Sequence, residues 1–333
     1  MPSRLGRPLT LAGAGLVLLL LPVASEPYFL HLCNLVLIYC ILALSLQLLL
    51  GYAGQLSLGH AAFFGTGAYA SAIVATTLQQ SVWLGLVVGT LLAGLVGLTM
   101  APISRLRGNY LVVATIGFNE IVHLVILNWV PVTHGPLGFL DIPAPAIAGL
   151  RLDDDRSYYY LALVATVAVY LGLSHLVGES RFGRALAAIR QNQSAAAAMG
   201  VSPAAYKIQA FVISAALAGL AGGLFAHLIR YLNPNDVTLD GSILVLMMVV
   251  VGGLRSLEGA IIGAVLLTLA PEYLRVFQDY RLVVYAGLLI VTMIFIPDGL
   301  VGLLRRAARG LRRLRLPARA RPMEAEARAG DSG

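Results

Sequence analysis

Long apolar runs alternate with short polar or glycine-rich stretches along this chain up to about residue 303. A helix needs roughly 20 apolar residues to cross the hydrocarbon core of a bilayer. Such runs recur at 8–25, 28–50, 59–78, 82–104, 109–130, 157–177, 206–230, 241–254, 259–275 and 281–303. The pattern predicts an all-α integral membrane protein of about ten transmembrane helices, a polytopic domain over 1–303. Glycines interrupt or flank the third and eighth runs, so either could be a half-helix instead of a full crossing. The first run could be read as a signal peptide ending near Pro22, Val23 and Ala24, but the apolar sequence resumes at once, which favours a retained helix.

Composition agrees with the pattern: 59% of the residues are hydrophobic and 12% charged, far from the balance of a soluble domain. The charges that remain set an orientation, because Lys and Arg in short loops stay on the cytoplasmic side. Arg4 and Arg7 precede the first run and Arg105 and Arg107 follow the fourth. Arg181, Arg184 and Arg190 follow the sixth, and nine arginines follow the last. All fall on one side if ten spans are counted, so both termini are predicted to be cytoplasmic. The formal charge of +7 comes largely from 304–333, where those nine arginines face Glu324, Glu326 and Asp331. That segment reads as a basic, disordered cytoplasmic tail whose arginines can lie against anionic membrane lipids; it does not read as a nucleic-acid site.

Several chemistries lack their residues. The single lysine, Lys207, follows a tyrosine, so there is no Gly-Lys-Ser/Thr loop to cradle phosphates. The six histidines are scattered, and no metal-ligand spacing or cofactor motif is present. No catalytic residue is expected: Ser57 and His60 could mimic a nucleophile and base, but no GxSxG elbow frames them. Cys33 and Cys40, seven apart, share one face of one helix, where they cannot easily bridge each other.

Three stretches carry functional signals. In GYAGQLSLGHAAFFGTGAYASAI (51–73), glycines at 51, 54, 59, 65 and 67 interrupt an apolar run, and each weakens a helix by about 1 kcal/mol relative to alanine. In lipid, backbone freed this way is tolerated only where it is buried in protein or lines a cavity. Gln55, Ser57, Gly59 and His60 cluster at the break and are substrate-pathway candidates; Gly65 and Gly67 suit either a pathway or close helix packing. In ATIGFNEIVHLVILNW (114–129), Glu120 lies inside a span with Asn119 and His123 beside it and Thr115 and Gly117 on nearby turns. A carboxylate there needs a partner or an aqueous face, so Thr115, Asn119 and Glu120 join the candidates. A structural hydrogen-bonding role for Glu120 stays open. A second break, GGLRSLEGAIIG (252–263), pairs Arg255 with Glu258 at i, i+3, and Glu272 and Arg275 form a similar pair. The two breaks occupy comparable places in the two halves of the chain, which hints at a duplicated fold.

The third signal is 178–205. Its alanine-rich portion predicts one short amphipathic helix between Arg184 and Met199, ended by Gly200, with Ser202 capping the next helix and Pro203 in its first turn. Such a segment is suited to be pushed by a partner on the cytoplasmic side.

Together GYAGQLSLGHAAFFGTGAYASA, ATIGFNEIVHLVILNW with THGPLG, GRALAAIRQNQSAAAAMG with YKIQAFVISAALAGLAGGLFA, and GGLRSLEGAIIGA resemble the LivM-type permeases of high-affinity branched-chain amino acid ABC importers, over roughly 35–305. The resemblance implies a bacterial inner-membrane permease without cofactors of its own. It would pair with a second permease subunit, be driven by two ATP-binding subunits and receive substrate from a periplasmic binding protein. It also implies docking of the ATPase on an EAA-x3-G segment. Ser194, Ala195, Ala196 and Gly200 have that spacing, with serine where glutamate would stand, so these and Arg184 and Arg190 are the coupling candidates. Permeases for urea and short-chain amides share the first motif but lack the GF-x-E pattern that Gly117, Phe118 and Glu120 provide; Asn119 and His123 replace a glycine and an arginine usual there. A rival class, an ion-coupled secondary transporter using Glu120 or Glu258 as proton carrier, leaves 178–201 without a role.

Overall fold

A computed structural model of the chain describes residues 26–100, 102–103, 108–147, 150–178, 180–254 and 256–273, with positions 19, 21, 22, 287 and 290. The expected spans at 8–25 and 281–303 and the tail 304–333 lie essentially outside the described residues.

The described chain is helical apart from its loops and one small hairpin. Helix α1 (Pro27–Leu46) starts on a proline, whose fixed φ suits a first turn, and widens into a π-helical turn, Gln47–Tyr52. Then come α2 (His60–Thr76), α3 (Val82–Thr99) and α4 (Asn109–Asn128). A loop over 129–154 holds two short helical turns and an antiparallel pair of two-residue strands, β1 (Ala146–Ile147) and β2 (Leu150–Arg151). Helices α5 (Asp155–Gly178), α6 (Arg181–Gln191), α7 (Gln193–Ala198), α8 (Pro203–Ile229), α9 (Leu239–Gly252) and α10 (Leu257–Tyr273) follow. Five are long and apolar enough to cross a membrane: α1 with its π turn, α3, α4, α5 and α8. The two runs marked by glycine form shorter helices of 17 and 14 residues, α2 and α9, about 25 and 21 Å long at 1.5 Å per residue.

Glycine decides how the centre packs. Helices α2 and α8 run in the same direction, with His60 against Ser214 and Ser71 against His227. A Cβ on Gly67 would lie 2.1 Å from the Gly219 carbonyl oxygen, and one on Gly89 of α3 would lie 2.5 Å from that of Gly67. Backbones this close need residues without side chains, so the structure assigns Gly67 to packing; Gly65 likewise abuts Val237. Helix α1 is inserted between this trio, α5 and α10. Its residues Ile38, Ile41, Leu44 and Leu46 are fully buried.

Helices α6 and α7 lie together at one end of the bundle, named the coupling end for the coupling candidates it carries. The loops 129–154 and 230–238 lie at the other, where Phe139 and Leu232 exchange backbone hydrogen bonds of 3.0 Å. The amphipathic helix expected between Arg184 and Met199 divides in two at Asn192. Its extended backbone (φ −155°, ψ 107°) breaks the run, and its side chain accepts from the Ser194 and Ala195 N–H groups to start α7. Asparagine favours such a cap over a helix interior.

Candidate functional site

The break after α1 is a tight reversal. Gly54 adopts φ +68°, and the Ala53 and Gln55 N–H groups donate back to the Leu48 and Leu49 carbonyls. The chain then reaches the start of α2, which lies deep in the bundle. It touches α4 at Asn119, the eleventh of 20 residues, and α8 at Ser214, the twelfth of 27.

A helix start buried at that depth must find acceptors for its free N–H groups. Four side chains, from α4, α9 and the break, supply them. The Leu58 N–H donates to Thr115 Oγ1 (3.0 Å) and the Gly59 N–H to Ser57 Oγ (3.3 Å). Ala61 donates to Ser242 Oγ and Ala62 to Asn119 Oδ1, both 2.9 Å, and the Ser242 hydroxyl itself donates to Asn119 Oδ1 (3.3 Å). His60 Nε2 meets Ser214 Oγ at 2.9 Å, and that hydroxyl gives its proton to the Ser45 carbonyl (2.6 Å). Ser214 can then only accept from the imidazole, so Nε2 carries the proton and Nδ1 a lone pair. Directly above, the Phe63 ring packs on Phe118 and Phe211 at 5.2 and 5.6 Å. The result is a sealed helix start with two unmet polar atoms: His60 Nδ1 and Asn119 Nδ2 are buried without hydrogen-bond partners among the described residues.

Of the pathway candidates, Ser57, Gly59, His60, Thr115 and Asn119 are therefore brought together. Gln55 is buried nearby but lines a cavity toward the coupling end, and Glu120 points away, exposed on the opposite face of α4. Ser45, Ser214 and Ser242 complete the cluster and escaped the sequence reading; the only signal for them is a lone serine in an apolar helix.

The coupling candidates lie on α6 and α7. Ser180 caps α6 by accepting from the Gly183 N–H (3.0 Å), and Leu186 and Ile189 bury its inner face. Arg184, Ser194, Ala195 and Gly200 are exposed and Ala196 is buried. Arg190 lies against the break, its Cγ 3.4 Å from where a Cβ on Gly54 would be. Between them opens a cavity of about 560 Å³ lined by Gln55, Asn109, Arg190, Gln193 and Lys207. The two glycine-rich breaks also touch: Gln47 Nε2 donates to the Gly253 carbonyl (3.4 Å), and a Cβ on Gly51 would lie 2.9 Å from the Leu254 oxygen. Glu258 accepts from the Tyr170 hydroxyl (3.3 Å); its expected partner Arg255, like Arg275, lies outside the described residues.

At the loop end a recess of about 540 Å³ collects Asp141, Arg151, Asp153 and Arg230. Arg230 pairs with Asp153 at 2.8 Å. Among the described residues no three His, Cys, Asp or Glu side chains come close enough to hold a metal ion.

Among the described residues, five helices long and apolar enough to cross a membrane, with a buried, hydrogen-bonded helix break between them, are the build of a polytopic membrane protein. Residues 28–293 match the family model described as branched-chain amino acid transport system / permease component, and the chain belongs to that family. It is 34% identical to the high-affinity branched-chain amino acid transport system permease protein LivM of Escherichia coli K12, over 87% of this chain and 75% of the relative. The Salmonella typhimurium LivM is 35% identical over 82% and 70%. The companion LivH of Escherichia coli K12 is 24% identical over 79% and 91%. No solved structure matches.

Proposed function

We propose that this chain is a permease subunit of an ABC importer for branched-chain amino acids, set in the bacterial inner membrane with ten spans and both termini cytoplasmic. It would work with a second permease chain, two ATP-binding subunits and a periplasmic binding protein, and would hydrolyse no ATP itself. The observation that carries the mechanism is the seat of α6 on the break. Arg190 lies against Gly54, and the chain from Gly54 leads within six residues to His60. A push on α6 and α7 by an ATPase therefore reaches the 53–59 loop directly.

That loop and the start of α2 are held by the hydrogen bonds from Leu58, Gly59, Ala61 and Ala62 and the His60–Ser214 pair. At about 1 kcal/mol net each, they sum to a few kcal/mol, the size of a two-state gap that a partner's differential binding can shift. Release would turn the α2 N–H groups, Ser57, Thr115 and Asn119 toward the pathway. Helix N-terminal N–H groups favour a carboxylate, which suits an amino acid better than an amide.

The test is ATPase activity of the reconstituted complex with leucine, isoleucine, valine, aromatic amino acids and urea presented by the binding protein. Stimulation by loaded binding protein that is lost when residues 190–200 are altered is the expected result. Absence of stimulation, with uptake by this chain alone along a proton gradient, would overturn it.

A further inference from the structure

The cavity under α6 has a lining of two kinds. Part of it is apolar, made by Leu56, Leu111, Val112 and Ile189. The rest carries two cations, Arg190 of α6 and Lys207 of α8, with the amides of Asn109 and Gln193. Among the described residues that line it there is no Asp or Glu, and Lys207 Nζ donates to a neutral acceptor, Gln193 Oε1 (3.1 Å). Helix α4 also starts at the cavity: Gly108 and Asn109 both line it, and Gly108, the N-cap, has no side chain to meet the first N–H groups. A helix start is partially positive, so it adds to the two cations. At about 560 Å³ the space is of small-molecule size.

We propose that this cavity binds a small apolar monocarboxylate, such as the α-keto acid of a branched-chain amino acid. Its carboxylate takes charge-assisted hydrogen bonds from Arg190 and Lys207, and its hydrocarbon part lies on Leu56, Leu111, Val112 and Ile189. Other chemistries fit the lining less well. Inorganic phosphate satisfies the cations but leaves the apolar part against water. An intact amino acid brings an ammonium into a lining of two cations and no carboxylate, where like charges repel. An uncharged apolar molecule takes water from both cations without replacing it.

The place of the site gives its occupancy a consequence. Arg190 belongs to α6 and packs on the break, its Cγ 3.4 Å from where a Cβ on Gly54 would be, whereas Lys207 belongs to α8 and Asn109 to α4. A carboxylate shared between Arg190 and Lys207 ties α6 to the bundle and so restrains the 53–59 loop. A deaminated relative of the cargo then slows import from the coupling end. The site itself is a property of this cavity; only its effect on import rests on the importer reading.

The experiment titrates the complete complex, in phosphatidylcholine nanodiscs without ATP or binding protein, with the α-keto acid of leucine, leucine, leucinol and inorganic phosphate, read by isothermal calorimetry. The keto acid should bind saturably and about tenfold more tightly than leucine or phosphate, and the cationic leucinol should not bind. Lys207→Gln should weaken keto-acid binding about tenfold and Lys207→Arg should restore it, because the lost contact is charge-assisted. Val112→Glu, which supplies a carboxylate from the chain itself, should abolish it. Equal affinity for leucine, or no binding of the keto acid, would overturn the site. Discs containing phosphatidylglycerol distinguish a lipid headgroup: if that lipid abolishes keto-acid binding, the cavity holds a headgroup and the proposal fails. ATPase stimulated by leucine-loaded binding protein is then read on the same discs. The keto acid should suppress stimulation in the unaltered chain and leave Lys207→Gln unaffected; unchanged stimulation with keto acid bound overturns the restraint on α6. Keto-acid binding without stimulation by any loaded binding protein removes the importer reading alone.

Discussion

His60 and Asn119 each use one polar atom to hold the start of α2 and bury another without a partner. Such half-satisfied pairs mark a place held under tension, since an unmet buried polar atom costs about 1–3 kcal/mol. The simplest check is Ser214→Ala, which removes the acceptor for His60 and the donor to Ser45. It should lower the stability of the purified complex by about 1–3 kcal/mol, read as an earlier thermal transition in detergent. Asn119→Leu should destabilise similarly by freeing the Ala62 N–H; a neutral result would reduce Asn119 to packing. Gly67→Val tests the packing assignment. With the Gly219 carbonyl 2.1 Å from its Cβ position, the backbones must separate, and the complex should lose about 1–3 kcal/mol or fail to assemble, seen by gel filtration. Of this cluster the sequence displayed the polar residues of the break and of α4. It could not display their serine partners, because a serine inside an apolar helix looks the same whether it bonds its own turn or a helix 181 residues away.

Among elements, the short ones α6 and α7 carry the proposed coupling. The split at Asn192 turns a single expected helix into two, so α7 presents its exposed residues at its own angle. Asn192→Ala should cost α7 its cap, about 1 kcal/mol. The measurable consequence is weaker stimulation of ATPase by loaded binding protein at unchanged basal ATPase. The break itself was legible, since five glycines in an apolar run admit few other readings. What was not legible is that it ends a π turn, and that the second break packs against it through Gln47, Gly51, Gly253 and Leu254. The two breaks touch through the π turn, which joins the 53–59 loop to the α9–α10 turn.

Across the whole molecule, polar sites line up from end to end: the recess at the loop end, the sealed start of α2 at mid-depth, and the cavity under α6 at the coupling end. The recess gives a prediction at this scale. Arg230 and Asp153 are about half exposed, and exposed pairs contribute about 0–1 kcal/mol, so Asp153→Asn with Arg230→Gln should leave the thermal transition almost unchanged. If the recess receives the binding protein, the same double variant should weaken its stimulation of ATPase, measured as a higher half-saturating concentration of the loaded protein.

The sequence by itself determined what depends on neighbours along the chain: the apolar helices, the breaks between them, the amphipathic segment near 184–199, and the motifs that carry the family. These follow from local hydropathy, helix period and glycine content. The tertiary structure alone decided which polar residues work together. It split the candidates into a buried set around His60 and Asn119 and an outward one at Glu120, although Asn119 and Glu120 are adjacent. The physical reason is that successive residues on a helix point about 100° apart, so neighbours in sequence serve different faces. Meanwhile the bonds that hold the break join residues 57, 154 and 181 positions apart, which only packing can bring into contact.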